Sequence, residues 1–196
     1  MSLQRVFTVV VFLLSLSACQ EDECKGKKYY SADPRVMEAV PYADKELASF
    51  RTNRGDDFRA GIKRILKIDR SDFMCDEIFE VTLDTGDMLP YMEIVHRASF
   101  RDEPVVQITI SPERNNMAYT VQILLTDDGK MAEYLPNPHK KSVYHDEITI
   151  DGKAYSNVIE ILYIKPYTKS IAQLFYNKAF GVIQYTTEDG LVVTRQ

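Results

Sequence analysis

The chain carries no excess of positive charge. Against 29 Asp+Glu stand only 24 Lys+Arg, a formal net charge of −5, and no basic stripe runs through the sequence. Proteins that neutralise phosphates need one, so composition argues against a nucleic-acid partner. Also missing is an apolar run of the ~20 residues that a membrane-spanning helix requires. The usual catalytic signatures are absent too: no Gly-x-Ser-x-Gly, no His-Glu-x-x-His and no phosphate-cradling glycine loop. Apolar residues, by contrast, are not in short supply. At 45% hydrophobic over 196 residues, the chain has material for one packed domain and is no disordered acidic tail.

The amino terminus reads as a targeting segment. Arg5 gives a short positive region, and an apolar run from Val6 to Leu14 follows, extended by Leu16. Then comes Leu16-Ser17-Ala18-Cys19, where small residues admit a peptidase and the Cys19 thiol is a nucleophile able to carry a lipid. This arrangement resembles the bacterial lipoprotein signal with its Leu-small-small-Cys lipobox. The resemblance implies diacylglyceryl transfer to Cys19, cleavage before it and a lipid anchor in place of a transmembrane helix.

Directly after Cys19 lies Gln20-Glu21-Asp22-Glu23, a solvated acidic spacer. It resembles the export tether of Bacteroidota lipoproteins, which implies the outer membrane and its surface. The expected organisation is a signal peptide over 1–18, a lipidated acidic tether over 19–32 and a β-rich globular domain over 33–196. With Cys19 lipidated, Cys24 and Cys75 remain as an even pair in an oxidising compartment. They are a candidate disulfide, with two unrelated thiols as the alternative. Neither has metal-ligand spacing with His96, His139 or His145, so no metal site or cofactor is expected.

Beyond the tether, turn signals recur every 10 to 15 residues. Phe79-Glu80-Val81-Thr82-Leu83 alternates apolar and polar, and Tyr91–Phe100, Val105–Ile110 and Met117–Leu125 continue as strand-like runs. Ile148–Ile150 leads through Asp151-Gly152 into Tyr155–Ile164, and Asp189-Gly190 turns the last hairpin. Residues 33–40 allow one helical turn or an entry strand, and Phe58–Ile68 fits either a helix face or a strand. Pro136, Pro138 and Lys140-Lys141 mark a loop. The pattern predicts a mainly β fold: one antiparallel domain, as a meander, curved sheet or sandwich, with little helix.

Two segments of the second half, Ile148–Ile159 and Leu174–Tyr185 with the closing Glu188-Asp189-Gly190, resemble a recurring ending of Bacteroidota lipoproteins. That group has no established activity, so the resemblance implies no catalytic residue. Val193-Thr194-Arg195-Gln196 stands where the group often has a tryptophan, and this chain has none.

Chemistry-bearing constellations are few. Asp84-Thr85-Gly86 matches the aspartic-protease triplet, which needs a second carboxylate from a dimer partner; a turn is the simpler reading. The acidic turns at Asp127-Asp128-Gly129, Asp151-Gly152 and Glu188-Asp189-Gly190 lack the ligand spacing of a calcium loop. His139 and His145 flank the Lys-Lys loop as candidate general bases or as solvated side chains. Tyr163, Tyr167, Phe175, Tyr176, Phe180 and Tyr185 offer faces for a sugar or an apolar groove, although core packing is the expected role. The function that fits is a non-enzymatic, membrane-anchored binding or structural module of the envelope. Its candidate partners are an envelope protein, a glycan or a hydrophobic ligand. The alternatives are a hydrophobic-ligand carrier holding an acyl chain, or an envelope hydrolase using His139, His145 or Asp84.

Overall fold

Alternating apolar and polar residues bury one face of a strand and leave the other wet. In the computed structural model this pattern governs most of the described strands. The structure describes residues 24–31, 33–70, 74–85, 93–99 (backbone), 104–111, 119–134, 138–164 and 171–196. The elements in order are β1 (Lys28–Tyr30), α1 (Pro34–Glu38), β2 (Leu47–Thr52), β3 (Asp57–Arg70) and β4 (Met74–Asp84). Next come β5 (Glu93–Ser99), β6 (Val105–Ser111), β7 (Tyr119–Leu125) and β8 (Met131–Glu133). The chain finishes with β9 (Lys140–Ile150), β10 (Lys153–Tyr163), β11 (Ile171–Asn177), β12 (Gly181–Thr187) and β13 (Val192–Arg195).

The fold is mainly β, as expected. Strands β2 to β8 form one antiparallel meander, and β9 to β13 form another. Pairing of β13 with β2 welds the two into a continuous sheet. Only β1 departs from this scheme, lying parallel to β4. The sheet curls until β8 approaches β9 and β10. Side chains bridge that seam: Lys140 Nζ donates to the Thr120 carbonyl at 2.9 Å, and Tyr119 meets Tyr163 edge-on with ring centres 6.5 Å apart.

Inside the curl lies the main core. Phe50, Phe58, Val81, Leu83, Ile108, Ile123, Ile161 and Tyr185 all bury there. Outward positions such as Arg51, Arg59 and Lys63 are exposed. This is the reverse of a transmembrane barrel, whose outside is apolar. The short helix α1 begins at Asp33, whose side chain caps the Arg35 N–H at 2.8 Å, with Pro34 in the first turn. It carries Val36, Ala39, Val40 and Tyr42 into the core as a stopper. Tyr42 Oη accepts the Val182 N–H at 2.8 Å, and Tyr176 Oη donates to the Ala39 carbonyl. A second, smaller core of Ile150, Tyr155, Val158, Phe175 and Ile183 forms from β9 to β12. Ile183 is the extra residue of a bulge in β12, since Phe175 pairs with Gln184 and Tyr176 with Val182.

Several expectations need correction. The tether does not run to residue 32. Cys24 is bonded to Cys75, with Cα atoms 6.0 Å apart, and β1 pairs with β4 through Tyr29 and Cys75, so Cys24 and Lys28–Tyr30 belong to the folded body. Three-residue β1 gives no periodicity of its own; its register comes from β4 and the staple. The proposed loop at Lys140-Lys141 is instead the start of β9, whose charged edge masks the strand pattern. The ambiguous Phe58–Ile68 stretch is strand throughout.

The hairpin turns differ from one another as well. At Asp151 and Gly152 φ is 49° and 76°, the two-residue left-handed turn that Asp-Gly favours. At the last hairpin only Gly190 is left-handed, with φ 81°, and the loop is one residue longer. There the Thr187 N–H bonds the Leu191 carbonyl at 2.9 Å, and the Gly190 N–H returns to Thr187. Pairing of Tyr185 with Val193 ties the carboxyl-terminal strand into the sheet.

Candidate binding cleft

Strands β9 and β10 are eleven residues each, whereas β8 has three. The long hairpin therefore runs on past the β7–β8 turn. A cleft of about 470 Å³ opens between that turn, the extended hairpin and the β11–β12 turn. Its walls include Asp128 and Lys130, Tyr144 and Asp146, Ser156 and Asn157, and Lys178 and Phe180.

Asn177 builds much of this site. It is 5% exposed, and both ends of its amide are used. Oδ1 accepts the Ala179 N–H at 2.6 Å and the Phe180 N–H at 3.1 Å, which fixes the turn. Nδ2 donates to the Ser156 carbonyl and, at 3.5 Å, to that of Asn157, which ties the turn to β10. Asn157 itself sits at φ 55° within a strand, an uncommon conformation that asparagine tolerates better than most residues. The Tyr144 hydroxyl donates to Asn157 Oδ1 at 2.7 Å and holds the amide against the wall.

Cations cover the ring faces. Lys130 Nζ lies 5.4 Å from the Tyr144 ring centre, and Lys153 Nζ lies 4.8 Å from that of Phe180. Phe180 stands edge-on to Tyr155 at 5.4 Å. Lys178 Nζ donates to the Gly129 carbonyl and bridges two of the walls. Hydrogen bonding from the Thr126 hydroxyl, then from the Lys130 N–H, holds the Asp128 carboxyl below the usual carboxylate range. Burial raises the Tyr155 hydroxyl above the usual tyrosine value. The walls thus carry the Asp146 carboxylate, the Lys130 ammonium, the Tyr144, Tyr155 and Ser156 hydroxyls and aromatic faces, while Asp128, Lys178 and the Asn177 amide are engaged in building the walls.

The histidines stand elsewhere. His145 lies between Tyr144 and Asp146, so strand alternation turns it to the other face of β9. There its Nε2 is 2.7 Å from Glu160 Oε2, and Gln173 Nε2 donates to Glu160 Oε1 at 2.6 Å. His139 is exposed just before β9, and Asp84 is exposed at the end of β4, opposite Gly61. The structure does not bring these three together. The His96 side chain, Gly86, Tyr167 and Cys19 lie outside the described residues. Among the described residues no group of three or more His, Cys, Asp or Glu side chains gathers in a metal-binding arrangement. The acidic turns spend their carboxylates internally, Asp128 on Thr126 and Asp189 on Thr187.

Of the aromatic cluster, Tyr176 and Tyr185 are fully buried and Phe175 nearly so. Phe180, 37% exposed, reaches the cleft. Sequence reading missed Asn177, Asn157 and Tyr144. The one signal available was an asparagine closing a strand ahead of Lys-Ala-Phe-Gly, a pattern suited to side-chain capping of a turn. Comparison with protein-family models, curated proteins and solved structures finds no match.

Proposed function

We propose that the mature chain is an outer-membrane lipoprotein, anchored through an acylated Cys19, and that it works as a non-catalytic binding module of the envelope with this cleft as its site. The observation that carries the reading is the cleft's construction. A buried amide, Asn177, ties the β11–β12 turn to β10, and Lys178 ties the same turn to the β7–β8 turn, around a wall of mixed charge and aromatic faces. Pre-organised polar groups beside apolar ones are what a small ligand site needs. Occupation of the curled sheet by Tyr42, Tyr176, Tyr185 and Phe50 favours a polar ligand in the cleft over an acyl chain inside the sheet. The engagement of His145 with Glu160, away from the cleft, favours binding over hydrolysis.

Two measurements test the reading. Metabolic labelling with a palmitate analogue is expected to mark the chain and to be lost in Cys19→Ala; equal labelling of that variant rejects the anchor. Native mass spectrometry of protein purified from its host membrane is expected to retain a small polar mass that Tyr144→Ala and Phe180→Ala release. A chain that carries no such mass, or that turns over an envelope substrate, defeats the binding-module reading.

A further inference from the structure

Strand direction places the cleft relative to the amino terminus. β3, β7, β9 and β11 all run one way, and β4, β8, β10 and β12 run back. The β3–β4, β7–β8, β9–β10 and β11–β12 connections therefore lie at the same end of the sheet. That end carries the cleft, and also the Cys24–Cys75 bond, because Cys75 sits at the start of β4. The β12–β13 turn and Ile164, at the end of β10, lie at the other end.

Among the described residues, large exposed apolar side chains stand at the cleft end beside its cations. Tyr29, Leu66 and Phe180 lie toward the cleft end, being 37–56% exposed, while Ile164 lies at the opposite one. Lys25, Lys27, Lys28, Lys67, Arg70, Lys153 and Lys178 also belong to the cleft end. Aromatic and aliphatic groups interspersed with cations suit the boundary between headgroups and acyl chains.

Chain length makes the arrangement consequential. From Cys19 to the disulfide-bonded Cys24 there are five Cα steps. Fully extended they span at most about 18 Å. The fourteen residues of β3 alone extend to roughly 46 Å. We propose that the end of the sheet bearing the two long hairpins rests on the phospholipid surface, so that the cleft opens onto lipid headgroups. The cleft's Asp146 carboxylate and Lys130 ammonium complement a zwitterionic headgroup, which presents both signs. This inference rests on the lipoprotein reading above.

The absence of tryptophan gives a clean test. Phe180→Trp, Leu66→Trp and Ile164→Trp are each made in the full chain, expressed so that Cys19 is processed, and reconstituted in phosphatidylethanolamine–phosphatidylglycerol vesicles. Lipids brominated near the headgroup quench nearby tryptophan. Quenching at 180 and 66 is expected to exceed that at 164 several-fold. Equal quenching at all three positions, or stronger quenching at 164, overturns the orientation and leaves the anchor intact. A chain that neither floats with the vesicles nor carries lipid at Cys19 overturns the anchor reading and this proposal with it. Positions 66 and 180 lie on different hairpins and are both exposed, so misfolding of one variant leaves the other to decide.

Discussion

The ring of Tyr42 occupies the space that a side chain on Gly181 would need. A Cβ built at Gly181 would overlap the Tyr42 hydroxyl and ring carbons, and φ there is 72°, so backbone conformation and space both demand glycine. The next residue uses the same tyrosine, since the Val182 N–H donates to Tyr42 Oη at 2.8 Å. The stopper is thereby keyed into the β11–β12 turn beside the cleft.

Gly181→Ala should therefore be costly, by about 2 to 4 kcal/mol, as strain and overpacking add. Gly190 is a useful contrast. It has φ 81° but open space around it, so Gly190→Ala should cost only about 1 kcal/mol and Gly190→Val about 1 to 3. Urea unfolding of the three variants measures the difference. Gly181→Ala unfolding at the same midpoint as Gly190→Ala would show that Tyr42 yields without cost.

Replacing both Cys24 and Cys75 by Ser should lower stability by about 4 kcal/mol in the chain-entropy account, given the separation of 51 residues. Cys75 is fully buried, so the serine hydroxyls add a further desolvation cost. Thermal unfolding with and without reductant reads the effect in the unmodified chain. A melting temperature unmoved by complete reduction would mean that β1 pairing alone holds the segment.

Asn177→Leu removes the acceptor for two turn N–H groups and the donor for a carbonyl of β10. A loss of about 2 to 4 kcal/mol is expected, because buried polar groups lose their partners. Asn177→Asp keeps the acceptor side and should cost less. Chemical denaturation ranks the pair, and a reversed order would place the weight on the β10 contact.

Alkaline pH should unfold the protein. Burial pushes the Tyr42 hydroxyl up to about 12, and burial also raises Tyr163, Tyr176 and Tyr185. A folded-state value above the unfolded one means that the unfolded chain gives up its protons first. Stability is fully present below about pH 10, the ordinary tyrosine value, and falls as pH rises toward the folded values. Tyrosinate absorbance and circular dichroism should change together, cooperatively, above pH 10. Smooth titration of all tyrosines with the sheet intact would show that the core admits hydroxide.

Where one face of a strand is dry and the other wet, the sequence declares it. Phe79, Val81 and Leu83 alternate with polar neighbours, and each lies in the core. The start of β9 is different. Ser142 to His145 is half-buried on both faces, so no period of two survives. β1 is legible only through its partner 46 residues away, where Tyr29 pairs with Cys75. The cleft is harder still to read. Asn177, Asn157 and Lys178 matter there through backbone carbonyls and amides, and such contacts follow from the path of the chain more than from residue type. The hairpin at Asp151-Gly152 was legible because its local chemistry and its geometry coincide.

The pairing of β13 with β2 sets the order in which the molecule can be completed. Each meander assembles from hairpins between consecutive strands, and such local contacts form early. The weld between the two meanders uses Val193 opposite Thr52 and Arg195 opposite Phe50. Those residues belong to the last four-residue strand of the chain. Synthesis therefore delivers two open half-sheets, each with an unsatisfied edge, and closure waits for β13. Until then β2 offers its backbone to any extended chain nearby, so the interval before Arg195 emerges is when the protein is most exposed to mispairing.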